Sequence, residues 1–175
     1  MTHVDGPPHG ADARAWISHA LALLRQEAAR SADTHLLKLA FAGFPGIDFY
    51  FKDEAAHPTG SLKHRLARSL YLYALCNGRL HAGQPVVDAS SGSTAISEAW
   101  FARLLGLSFT AVMPAGTAPR KIADVEALGA HCDLVADPAV AGIHRRHHRY
   151  NNPLPTCLVM CSAPKSCARA LDGLV

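Results

Sequence analysis

Two short stretches carry residues whose types and spacing suit covalent and anion chemistry. The first is Pro58-Thr59-Gly60-Ser61-Leu62-Lys63-His64-Arg65. Thr-Gly-Ser makes a tight turn that opens a helix, and Lys63 falls in that helix's first turn. A lysine there is fixed at its base and shielded from part of the solvent, and the positive helix end disfavours its ammonium form. Those conditions favour a neutral amine able to form a Schiff base with a carbonyl compound. Taken alone, a lysine after a Gly-Ser turn is more often an ordinary surface residue. His64 and Arg65, which follow it directly, are expected to be solvated rather than catalytic.

The second stretch is Ser90-Ser91-Gly92-Ser93-Thr94-Ala95, between a strand and a helix. Hydroxyl groups and unpaired N–H groups converge there, where the helix dipole favours an anion. A carboxylate or a phosphate suits such a loop. Without further context, a Ser/Thr helix cap with a glycine turn explains it equally well.

The elements that must position these loops follow from periodicity. Residues 12–30 read as a helix with Trp16, Ala20, Leu23 and Leu24 on one face. Residues 47–51 are a short β-rich run after a Phe44-Pro45-Gly46 turn. A helix is expected over 61–76, with Leu62, Leu66, Leu70 and Tyr73 as its apolar stripe and Asn77-Gly78 as its cap. Strands are expected at 85–89, 109–113 and 132–135, with helices over 94–105 and 117–128, the second with Pro119 in its first turn. This alternation predicts an α/β fold: three αβα layers around a mainly parallel sheet. Lys63 and Ser91 should then face one cleft at the carboxyl ends of the strands.

The two loops lie about 30 residues apart, and both open helices. Together they resemble the fold-type II pyridoxal-phosphate (PLP) enzymes, the cysteine synthase and cystathionine β-synthase family. The match is to that family's Pro-Thr-Gly-Ser-Phe-Lys lysine motif and its Ser-Ser-Gly-Asn-Thr substrate-carboxylate loop. The run Asp88-Ala89-Ser90-Ser91-Gly92-Ser93-Thr94-Ala95-Ile96-Ser97-Glu98-Ala99 is most similar to the L-cysteine desulfhydrase branch, as are Phe101 to Leu107 and Ala111-Val112-Met113-Pro114. The resemblance runs from about Trp16 to Val135. It implies that Lys63 holds the cofactor and acts as the catalytic base. It further implies that Ser90, Ser91, Gly92, Ser93 and Thr94 bind the substrate carboxylate. Ser93 stands where most of the family has an asparagine that meets the cofactor's 3-oxygen, and a serine reaches less far. The family's glycine-rich phosphate cup and its pyridine-nitrogen partner come later in such chains, and nothing after Val135 resembles them.

The resemblance therefore implies a PLP-dependent lyase that converts L-cysteine to pyruvate, ammonia and sulfide by α,β-elimination. β-Replacement, as in cysteine synthesis, uses the same visible residues. A different class of expectation is an inactive fragment or association module: an incomplete PLP domain over 1–136, truncated before its phosphate cup, with a non-matching, poorly ordered tail over 137–175. Such a chain should bind PLP weakly and self-associate, with a homodimer as one outcome.

Totals narrow the alternatives. The 175 residues suit one domain, and 49% apolar with 18% charged is an ordinary globular balance. Lys and Arg exceed Asp and Glu by only three (17 against 14), so no anionic partner is demanded. No stretch matches a secretory signal or a membrane span. Five cysteines, an odd number, suit reduced thiols and a cytoplasmic setting. Cys76 and Cys132 are expected as small core residues, and Trp100 and Phe101 as core or interface. In the tail, Cys157 and Cys161 flank three residues, as do His144 and His148, with His147 and Cys167 nearby. Zinc sites favour close pairs, but a shifted reading frame gives the same composition, so no metal is expected. The basic cluster from His144 to Arg149 lacks stacking aromatics, and no nucleic-acid partner is expected either.

Overall fold

Helix α1 (Ala11–Ser31) buries Ala20, Leu24, Glu27 and Ser31, a single stripe at three- and four-residue spacing. In the computed structural model, which describes residues 10–31, 33–136 and 158–160, the chain next forms an antiparallel pair. Strand β1 (Leu36–Leu39) runs against β2 (Phe49–Lys52), with Leu36 opposite Lys52 and Leu39 opposite Phe49. Sequence anticipates β2 but not β1. Leu-Leu-Lys-Leu has no in–out alternation, and every residue of β1 is exposed. Leu36, Leu37, Phe41, Phe44, Tyr50 and Phe51 leave this pair with a broad exposed apolar surface. A short 3₁₀ turn (Glu54–Ala56) follows, its start capped by the Asp53 carboxylate accepting from the Ala55 N–H at 3.2 Å.

Helix α2 (Lys63–Cys76) corrects the expected stripe. Its buried residues are His64, Ala67, Tyr71, Ala74 and Leu75, while Leu62 and Tyr73 are exposed at 56% and 62%. The helix is turned because α2 packs on α3, and α3 presents Ala95, Ala99 and Ala102 to the core. Small residues on both helices (Ala67 and Ala74 on α2) permit a close approach that leucines would block. Cys76 is exposed rather than a core residue, because it sits one position past the buried Leu75 at the end of the helix. Asn77 caps the helix, its side-chain amide donating to the Tyr73 carbonyl at 2.8 Å, and Gly78 takes the left-handed conformation (φ +65°) that ends it.

The rest alternates as expected: β3 (Val86–Ala89), α3 (Ser93–Leu104), β4 (Phe109–Pro114), α4 (Pro119–Glu126) and β5 (His131–Val135). A last strand, β6 (Leu158–Met160), comes from the stretch that sequence sets apart as a tail. The sheet order is β5-β4-β3-β6, with all pairs parallel. Helix α3 packs on β3 and β4, α4 on β5 and α3, and α1 on α2. The chain therefore steps from β3 to β4 to β5 in one direction, then returns to the other side of β3. That reversal is a topological switch point, and in open parallel sheets ligands bind beyond the strands' carboxyl ends at such a place. The loop that leaves the carboxyl end of β3 is the one holding Ser90, Ser91 and Gly92.

Candidate active site

The turn before Lys63 is built from its own backbone. The Gly60 N–H donates to the His57 carbonyl at 2.8 Å, the His64 N–H to the Ser61 carbonyl at 3.0 Å, and the Lys63 N–H to Ser61 Oγ at 3.2 Å. Gly60 has φ +66°, where a side chain would be strained. Lys63 is thus the first residue of α2 and is half-buried. Thr59 Oγ1 lies 2.9 Å from Ser97 Oγ, a hydrogen bond that ties the lysine turn directly to α3.

Helix α3 begins at Ser93, after Gly92 as N-cap. Glycine has no side chain to occupy the first-turn N–H groups, which leaves them for an anion. Ser90, Ser91 and Gly92 are half-buried, Ser93 is exposed and Thr94 is buried. The hydroxyls of this loop and the amine of Lys63 therefore belong to neighbouring helix starts, joined one helical turn in by the Thr59–Ser97 bond.

His64 is not solvated, as sequence expects, but fully buried. Its ring stacks on His57 at 5.1 Å and meets Trp100 and Phe101 at 4.9 and 4.7 Å. Its Nε2 lies 2.7 Å from Glu27 Oε1, and its Nδ1 lies 3.2 Å from Thr59 Oγ1. Glu27 also accepts from Ser31 and, at 3.0 Å, from Arg68. Burial alone raises the Glu27 carboxyl, but hydrogen bonds from Ser31, His64 and Arg68 outweigh it and hold the group below the usual range. Burial likewise depresses His64, and the opposing pull of Glu27 does not fully restore it against His57 and Arg68. The pair is therefore a neutral imidazole donating to a carboxylate rather than two full charges. Arg65, also expected to be solvated, is engaged: its Nε donates to Glu54 Oε2 at 2.8 Å. Hydrogen bonds from Arg65 and Thr34, with a smaller one from His57, bring Glu54 down to about 2.

A second acidic feature lies under the anion loop. Glu98 of α3 is fully buried, and Asp88 of β3 nearly so. Neither carboxyl oxygen of Glu98 has a partner in strict hydrogen-bond geometry, so its contact with Asp88 is a loose one. Burial, then the charge of Asp88, then that contact raise Glu98 well above the carboxylate range. That favours its neutral, protonated form.

Sequence misses Glu27, Asp88, Ser97 and Glu98 as elements of the site's support. A signal for Glu27 exists, because it falls four residues before Ser31 and seven after Ala20 on the buried stripe of α1. The tail's ligand-type residues His144, His147, His148, Cys157, Cys161 and Cys167 lie outside the described residues. Among the described residues no cluster of His, Cys, Asp or Glu could hold a metal ion.

The chain is an α/β unit with a parallel sheet and a switch point, with Lys63 at one helix start and the Ser90 to Thr94 loop at another. Residues 30–156 match the family described as pyridoxal-phosphate dependent enzyme, and this chain belongs to that family. L-cysteine desulfhydrase Cds1 of Mycobacterium tuberculosis (strain ATCC 25177 / H37Ra) is 56% identical over 126 residues, covering 70% of this chain and 34% of the relative. Cysteine synthase B of Escherichia coli (strain K12) is 34% identical over 104 residues, covering 59% and 34%. Among solved structures, O-ureido-L-serine synthase superposes with a TM-score of 0.58 at 29% identity, over 66% of this chain and 36% of the other. A hydrogen sulfide-producing enzyme of Fusobacterium nucleatum has the same fold, with a TM-score of 0.64 at 23% identity over 73% and 42%. The chain thus spans about a third of the length of its curated relatives.

The carboxylates and His64 set the expected response to acid. Glu27 and Glu54 titrate below their ordinary 4.5 in the folded chain, so the unfolded chain binds more protons and stability falls as pH drops through that value. Between 6.5 and 4.5 two groups oppose each other. His64, depressed when folded, makes acid destabilising, whereas Glu98, raised when folded, makes it stabilising. Thermal melts should therefore show a nearly flat region near pH 5–6 and a steep loss below about 4.5. A melting temperature that holds from pH 5 to pH 3 would contradict these assignments.

Proposed function

We propose that this chain supplies the cofactor-bearing lysine and the substrate-carboxylate loop of a PLP-dependent carbon–sulfur lyase. The substrate is L-cysteine, and α,β-elimination followed by hydrolysis with one water gives sulfide, pyruvate and ammonia. The observation that carries this reading is the Thr59–Ser97 bond, which sets the lysine turn beside the helix whose start forms the anion loop at the switch point. The residues suit the cofactor: Lys63 offers a primary amine for its aldehyde, and the exposed Ser93 hydroxyl suits a ring oxygen. When bound, PLP supplies a conjugated ring that stores the electron pair left at the substrate's Cα.

The chain's own residues do the rest. Ser90, Ser91, Gly92, Ser93 and Thr94 hold the substrate carboxylate with hydroxyls and the first-turn N–H groups of α3. With the cofactor bound, Lys63 would take the substrate's α-proton at its Nζ. The hydrogen-bonded turn fixes the base of that side chain. β-Replacement is the second reading, favoured by the cysteine synthases among the relatives. The free thiols of Cys76 and Cys132 fit a cytoplasmic setting. Among the described residues no helix is long and apolar enough to cross a membrane. The exposed apolar surface of β1 and β2 supports self-association.

Turnover by this chain alone is expected to be low, and the test reads it against Lys63→Ala. With PLP and L-cysteine, the parent should release sulfide and pyruvate in equal amounts above the Lys63→Ala background. Cysteine formed from O-acetylserine and sulfide would favour replacement. Equal rates in parent and Lys63→Ala would remove Lys63 from the chemistry.

A further inference from the structure

The bonds around Thr59 have only one consistent direction. Glu27, ionised and already accepting from Ser31 and Arg68, can only accept from His64, so Nε2 carries the ring's hydrogen. The buried neutral ring then has a bare Nδ1, which accepts from the Thr59 hydroxyl. With its hydrogen committed to His64, Thr59 accepts from the Ser97 hydroxyl. Thr59, His64 and Ser97 stand on three separate segments: the lysine turn, α2 and α3. His64 is held by Glu27 of α1, the stacked His57, and Trp100 and Phe101 of α3, while Arg68 of its own helix donates to Glu27.

We propose that His64 is a positioning residue: through Nδ1 and Thr59 it locks the turn that carries Lys63 to the helix that carries the anion loop. This deepens the functional reading above and rests on it only for the identity of the ligand. A residue next to the reacting lysine, yet pointing away from solvent into an aromatic and carboxylate socket, fixes the geometry of the site without touching substrate. The directionality also makes the two ring nitrogens separable. Asparagine places an acceptor near the Nδ1 position and loses the Glu27 bond. Glutamine reaches toward Glu27 and loses the Thr59 bond.

The test is hydrogen exchange of the amides of Gly60, Lys63 and His64 in the full chain, which needs no cofactor. Thr59→Val and His64→Gln should exchange there about tenfold faster or more, with the amides of β4 unchanged, whereas His64→Asn should stay within about threefold of the parent. Should His64→Gln fail to fold, Thr59→Val decides by itself. Unchanged exchange in Thr59→Val, or equal acceleration in His64→Asn and His64→Gln, would overturn the proposal. A parallel arm measures borohydride-fixed PLP on Lys63, which should decline in the same order. No label on Lys63 even in the parent would sink the PLP reading, while the exchange data would still decide the role of His64.

Discussion

Phe101→Ala is expected to destabilise the fold by about 3–5 kcal/mol, a large share of the roughly 5–15 kcal/mol that holds a domain together. Phe101 is fully buried, and its ring meets His64 at 4.7 Å, Trp100 at 4.9 Å and Tyr71 at 6.1 Å. It therefore joins α2 to α3 at the point where the lysine turn is tied down. Alanine removes the ring, and the surrounding aromatic groups cannot close the space without disturbing His64. Phe101→Leu should recover more than half of the loss. Urea unfolding measures both. A cost below about 1.5 kcal/mol for Phe101→Ala would show that the α2–α3 contact is much looser than the structure describes.

Glu98→Gln should act in the opposite direction, and only at high pH. In the folded chain Glu98 keeps a proton that the unfolded chain releases above about 4.5. Each pH unit over which that holds costs the folded state about 1.4 kcal/mol. Glutamine has nearly the same shape, is neutral at every pH, and can donate to Asp88. The variant should thus match the parent near pH 5 and gain on it progressively as the pH rises above that. Denaturant titrations across that range decide it. A stability difference that does not change with pH would mean that Glu98 is ionised in the fold.

Much of this architecture is legible because its signals are local. The Thr-Gly-Ser turn, the lysine after it and the Ser-rich loop each declare a helix start from neighbouring residues, and the alternation of strand and helix follows from periodicity. What sequence does not reveal depends on partners far along the chain. His64 reads as a solvated neighbour of Lys63 because its partner Glu27 is 37 residues away. The face of α2 is misjudged because the alanines of α3, not the leucines of α2, decide how closely the two helices approach. Strand β1 has no pattern of its own and exists through its pairing with β2. Strand β6 is three residues long, within a stretch whose composition argues against any element. Glu98 sits in plain view inside the motif run, yet its own burial, with Asp88 beside it, is what makes its carboxyl unusual.

The central claim is that Lys63, whose turn is tied to α3 through Thr59 and Ser97, is the residue that takes the cofactor. Its most direct measurement is borohydride reduction of the chain in excess PLP, followed by peptide mapping of the fixed pyridoxyl group. The label should fall on Lys63 in preference to Lys38, Lys52, Lys121 and Lys165, and Lys63→Ala should lose it. Label spread evenly over the lysines, or concentrated on one other than Lys63, would contradict the account.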